Sequence, residues 1–434
     1  MADFENNAGF IERRNGDPLA ALADWRASAA ESPSTILLVD FELPQYWLSG
    51  KPCIALTAIY CLLDGALQVS VTDLELPLEE EVPAKQYARW AQQQGLVCAD
   101  AGTAIALGTE AIAKPWGQEI WYSGVEERGV CCFRQGEAAT PIPWLQAAMP
   151  SAALGPAETD LVLLKILDPA ARAVTGDLYF ELHEEKREVY VVTHIDEAAW
   201  PDGIGAIRYG FNPEAIKAAG SEAAFREQYL AAVRDYEAVR REIDAFPEGE
   251  VPDAATISRE EALRSAMNDL TALRPLRVGD VIKVPLLLPH SLQHGVRTIE
   301  FQTPVYERKI LSFAQQVVTQ GHWDTAEAVR QMTLLPPADS DFQRLPGPQG
   351  CEVERIVDFE DFEVWRIRLD SGAAYCPELV ECYRIIIVVS GKLTLSGAIY
   401  GPEEAALIPA ATHLEFSNAD PAGEVVFLLA TPRG

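Results

Sequence analysis

The sequence predicts a mainly β protein with two strand-rich regions, of barrel or sandwich type, and a helical module inserted between strand groups. Two observations carry this prediction. Short runs of alternating apolar residues, separated by turn residues, recur along most of the 434 positions. The interval 212–275 instead carries apolar residues at helical spacing among dense charge. A chain of this length exceeds one ordinary core, so we expect more than one domain.

The N-terminal part contains two clear strand segments. Residues 34–45 and 52–78 are β-branched and alternating, and Asp64-Gly65 within the second segment is a typical hairpin turn. A short helix is predicted for 83–95. We expect residues 1–105 to form a strand-rich extension.

Short strand runs dominate from 160 to 209, and then the helical interval begins. Within it, Ser258 precedes Glu261 by three positions, which is the spacing of a capping box at a helix start. Strands resume after residue 276, with a turn at Gly279-Asp280.

The C-terminal third begins with a predicted helix and a Pro-rich connector, together covering 321–350. Asp324 stands at the expected N-cap of that helix. The remaining residues, 351–434, alternate as an all-β segment that turns at Gly391 and Gly397.

The formal charge of −30 excludes two classes of partner. Nucleic acid and anionic membrane surfaces both require a positively charged footprint. A phosphorylated substrate would therefore need a local cluster of Lys and Arg.

No apolar run approaches the ~20 residues of a membrane helix, and the first twenty residues lack the apolar segment of a signal peptide. We expect a cytoplasmic protein whose eight cysteines are mostly buried thiols rather than disulfides.

The stretch GDLYFELHEEKREVYVV, residues 176–192, places two carboxylates and an imidazole within a predicted strand region. On a strand, Glu181 and His183 share one face while Leu182 points to the other. This face lies either in water, as the charged HEEKRE run favours, or in a cavity that holds a metal ion. Both interpretations are open from this strand alone.

A second group of histidines favours the metal. His290 and His294 follow an apolar run that is typical of a buried strand, and four of the six histidines lie in these two strand groups. Imidazole and carboxylate ligands from two strand groups are what a divalent transition-metal site needs.

These residues carry a family resemblance. The segment from Gly176 to Glu188 resembles the first cupin motif, and the segment from Gly279 to His290 resembles the second. More specifically, the chain resembles the type I phosphomannose isomerases of the cupin superfamily over about 110–434. That resemblance rests on KPWG at 114–117, ELH with the later KREVYVV, PHSLQHGVRTIEFQTP at 289–304 and ERKILSF at 307–313.

The resemblance implies two cupin-type β-barrels. The catalytic barrel would comprise 106–211 and 276–320, with 212–275 as the helical insertion and 351–434 as a C-terminal barrel without metal. It further implies one divalent ion, by resemblance zinc, with manganese or iron as alternatives, and the implied ligands are Glu181, His183, Glu188 and His290.

Two departures from the family pattern affect the implied site. The family usually has glutamine at the position of Glu181, and a longer insertion where four residues separate His183 from Glu188. Two carboxylates neutralise a divalent ion, and oxygen-rich ligation favours manganese or iron over zinc. These changes bear on the substrate more than on the presence of metal.

The resemblance also implies that Arg308 and Lys114 line the pocket and contact a phosphate or developing negative charge. Glu300 is the closest match to the family's pocket glutamate and the predicted proton-transfer group. The alternatives are structural: Glu300 as a rim charge paired with Arg297 or Arg308, and Lys114 as an ordinary surface lysine.

The implied activity is that of an isomerase that interconverts mannose 6-phosphate and fructose 6-phosphate, or a related sugar. The partner is thus a small sugar or sugar phosphate, with neither nucleic acid nor membrane. Two alternatives belong to other classes: a non-catalytic carbohydrate-binding bicupin, and an Fe(II) cupin dioxygenase. We further expect His294 to orient a ligand, His194 to be structural, and His413 to bind no metal.

Overall fold

A computed structural model describes residues 10–28, 34–63, 66–76, 84–156, 159–247, 251–421 and 423–433. These residues form two compact units. Unit 1 comprises 1–110, 121–163 and 342–434, and unit 2 comprises 111–120 and 164–341. Within the described ranges, no helix is long and apolar enough to cross a membrane.

The elements of the first third of the chain are mostly strands. In chain order they are β1 (Phe10–Asn15), α1 (Pro18–Ser28), β2 (Ser34–Pro44), β3 (Cys53–Leu63), β4 (Ala66–Thr72), α2 (Ala84–Gln93), β5 (Ala99–Asp100), β6 (Ile105–Leu107), β7 (Glu110–Lys114), β8 (Gly117–Trp121), β9 (Val125–Glu126), β10 (Gly129–Val130), β11 (Cys132–Gln135), β12 (Ala138–Pro141), α3 (Ile142–Ala148) and α4 (Ser151–Leu154).

The middle part alternates between strands and a helical group. Its elements are β13 (Leu163–Pro169), β14 (Phe180–Leu182), β15 (Glu188–Ile195), β16 (Gly205–Phe211), α5 (Pro213–Ala218), α6 (Glu222–Asp244), α7 (Ala254–Asn268), β17 (Thr271–Leu276), β18 (Val281–Val284), β19 (His290–Leu292), β20 (Val296–Gln302), β21 (Lys309–Ser312) and α8 (Thr325–Gln331).

The described residues of the last part form strands joined by turns and loops. The strands are β22 (Gln343–Leu345), β23 (Cys351–Asp358), β24 (Phe362–Leu369), β25 (Ala374–Tyr375), β26 (Arg384–Ser390), β27 (Leu393–Leu395), β28 (Ala398–Tyr400), β29 (Ala405–Ile408), β30 (Phe416–Asn418) and β31 (Val425–Pro432).

Unit 1 is built on three larger sheets. One has the order β1-β2-β3-β4-β5, the second β12-β11-β6-β29-β26-β31-β24-β23-β22, and the third β25-β30-β27-β28. The predicted strands at 34–45 and 52–78 are present as β2, β3 and β4, while the predicted turn at 64–65 lies outside the described residues. The predicted turns at Gly391 and Gly397 are confirmed, since both glycines have positive φ.

Unit 2 holds two sheets that share one core. The first has the order β18-β15-β20-β13-β8-β7 and the second β17-β16-β19-β14-β21. Residues of both sheets, including Tyr190, Ile207, Ile282 and Ile310, form one buried cluster between them. The prediction of a mainly β fold is confirmed, but the sheets are not closed, so a cupin barrel stays a prediction. The same holds for the five-part domain division.

The helical module covers one side of this second sheet. Phe180 and Leu182 of β14 pack with Phe225 and Tyr229 of α6, so the apolar face of β14 packs against the helices. Burial of such side chains is worth about 1.5–3 kcal/mol each. By alternation, the neighbouring residues of β14 face the core between the sheets.

The predicted helix starts are partly wrong. Helix α7 begins four residues before Ser258, at an N-cap formed by Asp253, whose side chain accepts a hydrogen bond from the backbone N–H of Thr256. Asp at this position satisfies an otherwise unpaired helix donor as well as Ser does. Asp324 does occupy the N-cap of α8, although its carboxylate does not cap the helix and instead accepts from Ile310 N.

Candidate metal centre

The strands of unit 2 bring residues that are distant in the sequence to one place. Glu181 in β14 pairs directly with His290 in β19, and β15 supplies Glu188 from the other sheet. His183 follows β14 immediately and lies on the same face as Glu181. The four predicted ligands therefore converge in the core between the two sheets.

Three of these four ligands form a compact cluster. His183 Nε2 lies 3.3 Å from Glu188 Oε1, and His290 Nε2 lies 3.1 Å from Glu188 Oε2. The two imidazole rings are 5.1 Å apart, centroid to centroid. All three side chains are buried, and their ligand atoms lie within 4.8 Å of one another.

The second nitrogen of each histidine faces a backbone carbonyl. Nδ1 of His183 lies 3.0 Å from the carbonyl oxygen of Glu307, and Nδ1 of His290 lies 3.0 Å from that of Leu288. A carbonyl only accepts, so Nδ1 carries the proton and Nε2 presents a lone pair.

This arrangement has the donor set of a cation site. Nε2 of His183 is buried and has no hydrogen-bond partner, although it points at Glu188. Two unprotonated nitrogens and a carboxylate that face each other repel unless a cation lies between them. The residues present thus fit a divalent metal ion.

Glu181 stands slightly outside this cluster. Its Oε1 is 4.0 Å from His183 Nε2, and its Oε2 is a buried oxygen without a hydrogen-bond partner. Arg308 Nε lies 3.8 Å from that Oε2. The structure therefore groups His183, Glu188 and His290, with Glu181 beside them.

Glu188 is held as a carboxylate by its neighbours. Lys186 Nζ lies 2.8 Å from Oε1, and the hydroxyl of Tyr190 donates to Oε2 at 2.5 Å. Burial by itself raises the pKa of Glu188, but the Lys186 ammonium group acts in the opposite direction, and this pKa lies well below its ordinary value. Burial also lowers the pKa of His183, with Lys186 acting in the same direction.

A row of alternating charges extends from the metal cluster across the first sheet of unit 2. Neighbouring strands β7, β8, β13 and β20 contribute Lys114, Glu119, Lys165 and Glu300 in turn. Glu119 Oε1 lies 3.2 Å from Lys114 Nζ and 3.8 Å from Lys165 Nζ, and Lys165 Nζ lies 3.3 Å from Glu300 Oε2. Glu300 in turn is the register partner of Tyr190.

Burial in this row changes the acid–base properties of its members. Glu300 is 1% exposed, and burial raises its pKa well above the ordinary value despite the nearby Lys165. Burial by itself lowers the pKa of Lys165, but Glu119 and Glu300 reverse this effect and raise it. The row therefore combines a cation with a carboxyl group that tends to keep its proton.

Arg308 lies at the edge of the same site. Its guanidinium carbon is 4.4 Å from the ring centroid of Tyr179, and one of its terminal nitrogens donates to Thr319 Oγ1 at 2.8 Å. Together with the contact to Glu181, these interactions place the cation over the face of a buried aromatic ring.

The predicted residues that had structural alternatives occupy positions that differ from those alternatives in most cases. Arg297 pairs with Asp168 at 2.6 Å, and Glu300 pairs instead with Lys165. The side chain of Lys114 is 9% exposed, so it is no ordinary surface lysine. The HEEKRE run is only partly exposed to solvent, because Lys186 and Glu188 are buried while Glu184 and Glu185 are exposed.

Lys165, Glu119 and Lys186 were missed by the sequence analysis. Lys165 is the one charge within the apolar run LVLLKIL, and that isolation was the available signal. Lys186 was hidden in a charged run, and Glu119 follows the aromatic KPWG segment without any distinctive spacing.

The other histidines lie apart from this cluster. His294 Nδ1 is 2.7 Å from Asp177 Oδ1, and its ring stacks on Trp200 at 4.8 Å between centroids. His194 is exposed on β15, and His413 is exposed in unit 1. The residues that orient the clustered histidines are backbone carbonyls rather than His294.

The fold and the cluster define a mainly β protein with a buried His/Glu centre suited to a divalent metal. Among solved structures, mannose 6-phosphate isomerase from Bacillus subtilis matches with 14% identity over 76% of this chain and 99% of its own, at a TM-score of 0.55. A zinc-bound mannose 6-phosphate isomerase and the apo form from Salmonella typhimurium each match with 12% identity over 76% of this chain and 100% of theirs, at a TM-score of 0.54.

At this level of identity the likeness shows a shared fold. No protein-family model matches the sequence, and no curated protein matches it. The chain therefore has the fold of the mannose 6-phosphate isomerases.

Proposed function

We propose that this protein is a metal-dependent aldose–ketose isomerase that interconverts mannose 6-phosphate and fructose 6-phosphate, or acts on a related sugar. One observation carries the proposal: a His/Glu cluster fit for a divalent ion adjoins a buried, alternating row of lysines and glutamates. An isomerase needs both parts, one to stabilise an enediolate and one to move a proton between adjacent carbons. The shared fold supports the same class of reaction.

The metal would be held by His183, Glu188 and His290, with Glu181 as the fourth ligand after a small movement of its side chain. When bound, the ion polarises the sugar's carbonyl and hydroxyl oxygens and stabilises negative charge on them. Zinc is the proposed ion because a structure of this fold binds zinc. The two carboxylates also suit manganese or iron.

Glu300 is the proposed proton-transfer residue. A carboxyl group with a raised pKa is a stronger base once it loses its proton, which suits removal of a proton from carbon. It can return that proton to the adjacent carbon. Lys165, 3.3 Å away, stabilises the carboxylate form during this cycle.

Arg308 and Lys114 have different proposed tasks. Arg308 lies partly exposed beside Glu181 and can contact an anionic group of the substrate. Lys114 is enclosed by its ion pair with Glu119, so we assign it to the orientation of the charge row rather than to phosphate binding.

The test combines metal analysis with an isomerase assay. Purified wild type should contain about one equivalent of divalent metal per chain and interconvert mannose 6-phosphate and fructose 6-phosphate. His290→Ala should lose both properties, and His194→Ala, which changes an exposed histidine, should keep both. A wild type that binds metal but isomerises no aldose or ketose, phosphorylated or free, would refute the catalytic proposal.

Two further readouts separate this function from the alternatives. Oxygen consumption that depends on Fe(II) would instead identify a dioxygenase. A protein that stays free of metal after supplementation and still binds a sugar would identify a binding module.

A further inference from the structure

The connection between His183 and Glu188 contains only four residues, and it joins two members of the metal cluster. A displacement at either end of this connection moves the ligand at that end relative to His290. The contacts that fix its course are therefore part of the geometry of the centre.

Glu307 lies two residues before β21, the strand that pairs with β14, and makes three of these contacts. Its Oε1 accepts hydrogen bonds from the backbone N–H of Glu184, at 2.8 Å, and of Glu185, at 3.0 Å. Its own carbonyl oxygen lies 3.0 Å from Nδ1 of His183. One residue thus contacts both the imidazole and the chain that immediately follows it.

The far end of the connection is fixed separately. The N–H of Arg187 donates to Thr303 Oγ1 at 3.0 Å, and the N–H of Thr303 donates to the carbonyl of Arg187 at 3.0 Å. Glu188 therefore has an anchor of its own. At the start of the connection Glu307 acts together with Leu287, whose N–H donates to the carbonyl of His183 at 2.7 Å, and with Gln331, whose side-chain amide donates to Glu184 Oε1 at 2.6 Å. Lys309 adds an ion pair to Glu184 at 3.0 Å, from a partly exposed side chain.

We propose that Glu307 is a positioning residue of the metal centre, whose side-chain carboxylate fixes the 184–185 backbone and so aligns His183 with Glu188. This inference rests on the proposed metal site. It concerns a residue outside the cluster of His183, Glu188 and His290. Hydrogen bonds that two backbone N–H groups donate to a carboxylate are stronger than neutral ones, so their loss should shift His183 relative to Glu188.

Three variants separate positioning from general stability. Glu307→Ala removes the acceptor and should raise the Kd for Zn²⁺ by about 10- to 100-fold, as loss of a residue that orients a ligand typically does. Glu307→Gln retains an oxygen that accepts both N–H groups, so its Kd should stay within about threefold of wild type. Asp280→Ala is the matched control.

The control removes the same kind of contact at another turn of unit 2. Asp280 Oδ2 accepts from the N–H of Arg277 at 2.7 Å, outside the metal cluster. Its loss should lower the melting temperature of the metal-free protein but leave the Kd for Zn²⁺ unchanged.

The measurement is Zn²⁺ affinity by competition with a chelating dye, on metal-free protein whose fold is checked by circular dichroism. Equal Kd values for Glu307→Ala and wild type would overturn the inference, as would a weakening in Asp280→Ala equal to that in Glu307→Ala. If Glu307→Ala does not fold, Glu307→Asp decides: its shorter carboxylate cannot reach both N–H groups, and an unchanged Kd would overturn the inference. A wild type without Zn²⁺ affinity would instead refute the proposed metal site itself.

Discussion

The ammonium group of Lys165 lies 3.3 Å from the carboxylate of Glu300 on the neighbouring strand, and both residues are buried. Desolvation of such a pair is expensive unless further partners compensate for it. Glu119 supplies one such partner on the other side of Lys165. A buried lysine–glutamate pair of this kind, with displaced pKa values and beside a His/Glu cluster, marks a candidate functional site.

Replacement of Lys165 should abolish activity without loss of metal. In Lys165→Met the proposed base loses its cation, and we expect kcat to fall by about 10²- to 10⁴-fold. Metal content should stay at the wild-type level because Lys165 does not contact the cluster of His183, Glu188 and His290. Lys217→Met, on the exposed face of α5, is the control. Activity within a factor of a few of wild type in Lys165→Met would contradict the role assigned to the pair.

Glu300→Gln should make the protein more stable and less active. Burial raises the pKa of Glu300 above its ordinary value of about 4.5, so the folded protein keeps a proton that the unfolded chain releases. The free energy of unfolding therefore falls as pH rises from about 4.5 towards the raised pKa. Glutamine has no proton to release.

Urea unfolding at several pH values measures this effect. At neutral pH, the free energy of unfolding of Glu300→Gln should be about 1–3 kcal/mol higher than that of wild type. This is the range for the cost of a buried polar group without full hydrogen bonding. The difference should shrink as the pH approaches 4.5. A variant that is less stable than wild type at neutral pH would show that the Glu300 charge contributes net stability.

The metal-free protein should lose stability on mild acidification. Burial lowers the pKa of His183 below its ordinary value of 6.5, so the unfolded chain binds a proton that the folded protein excludes. The free energy of unfolding therefore falls as pH falls below about 6.5. The pKa of Glu188 is also lowered, and protonation of this carboxylate reduces the free energy of unfolding further, but only below about pH 4.5.

Comparison with two glutamine variants isolates the histidine. His183→Gln should show a smaller decrease in the free energy of unfolding between about pH 6.5 and pH 5 than wild type. His194→Gln, at an exposed position, should follow wild type. Parallel curves for wild type and His183→Gln would contradict a lowered His183 pKa.

Glu181→Gln should improve the use of phosphorylated substrates. The amide removes the negative charge that lies 3.8 Å from Arg308 Nε, and it raises the net charge of the site by one. We expect KM for the sugar phosphate to fall several-fold, with little change for an unphosphorylated sugar. Steady-state kinetics on both substrates tests this, and equal changes in the two KM values would argue against a contact between Arg308 and phosphate.

Gly117 in the KPWG segment should be irreplaceable for backbone reasons. Its φ is +148°, and a Cβ there would clash with the carbonyl oxygen of Asp168. Gly117→Ala should therefore lower the free energy of unfolding by about 3 kcal/mol or more, because backbone strain and overpacking act together. Gly203→Ala is the control, because Gly203 has φ +68° but nothing within 4 Å of its Cβ position. That variant should cost about 1–2 kcal/mol. Thermal denaturation compares the two.

Local patterns in the sequence determined most of the secondary structure. The alternation in 34–45 and 351–434 and the helical spacing in 212–246 correspond to strands and helices of the structure, because these periods reflect which side chains are buried. The start of α7 could not be located in this way, since Ser258 and Asp253 are both good N-cap residues.

For the site, the resemblance to the cupin motifs indicated Glu181, His183, Glu188 and His290 as ligands, and the structure groups His183, Glu188 and His290 with Glu181 beside them. Only the tertiary structure revealed that β7, β8, β13 and β20 are neighbours, which brings Lys114, Glu119, Lys165 and Glu300 into one row. Strand order is set by pairing between distant segments, and no local period encodes it. The same applies to Glu307, whose contacts with the chain after His183 depend on the pairing of β14 with β21.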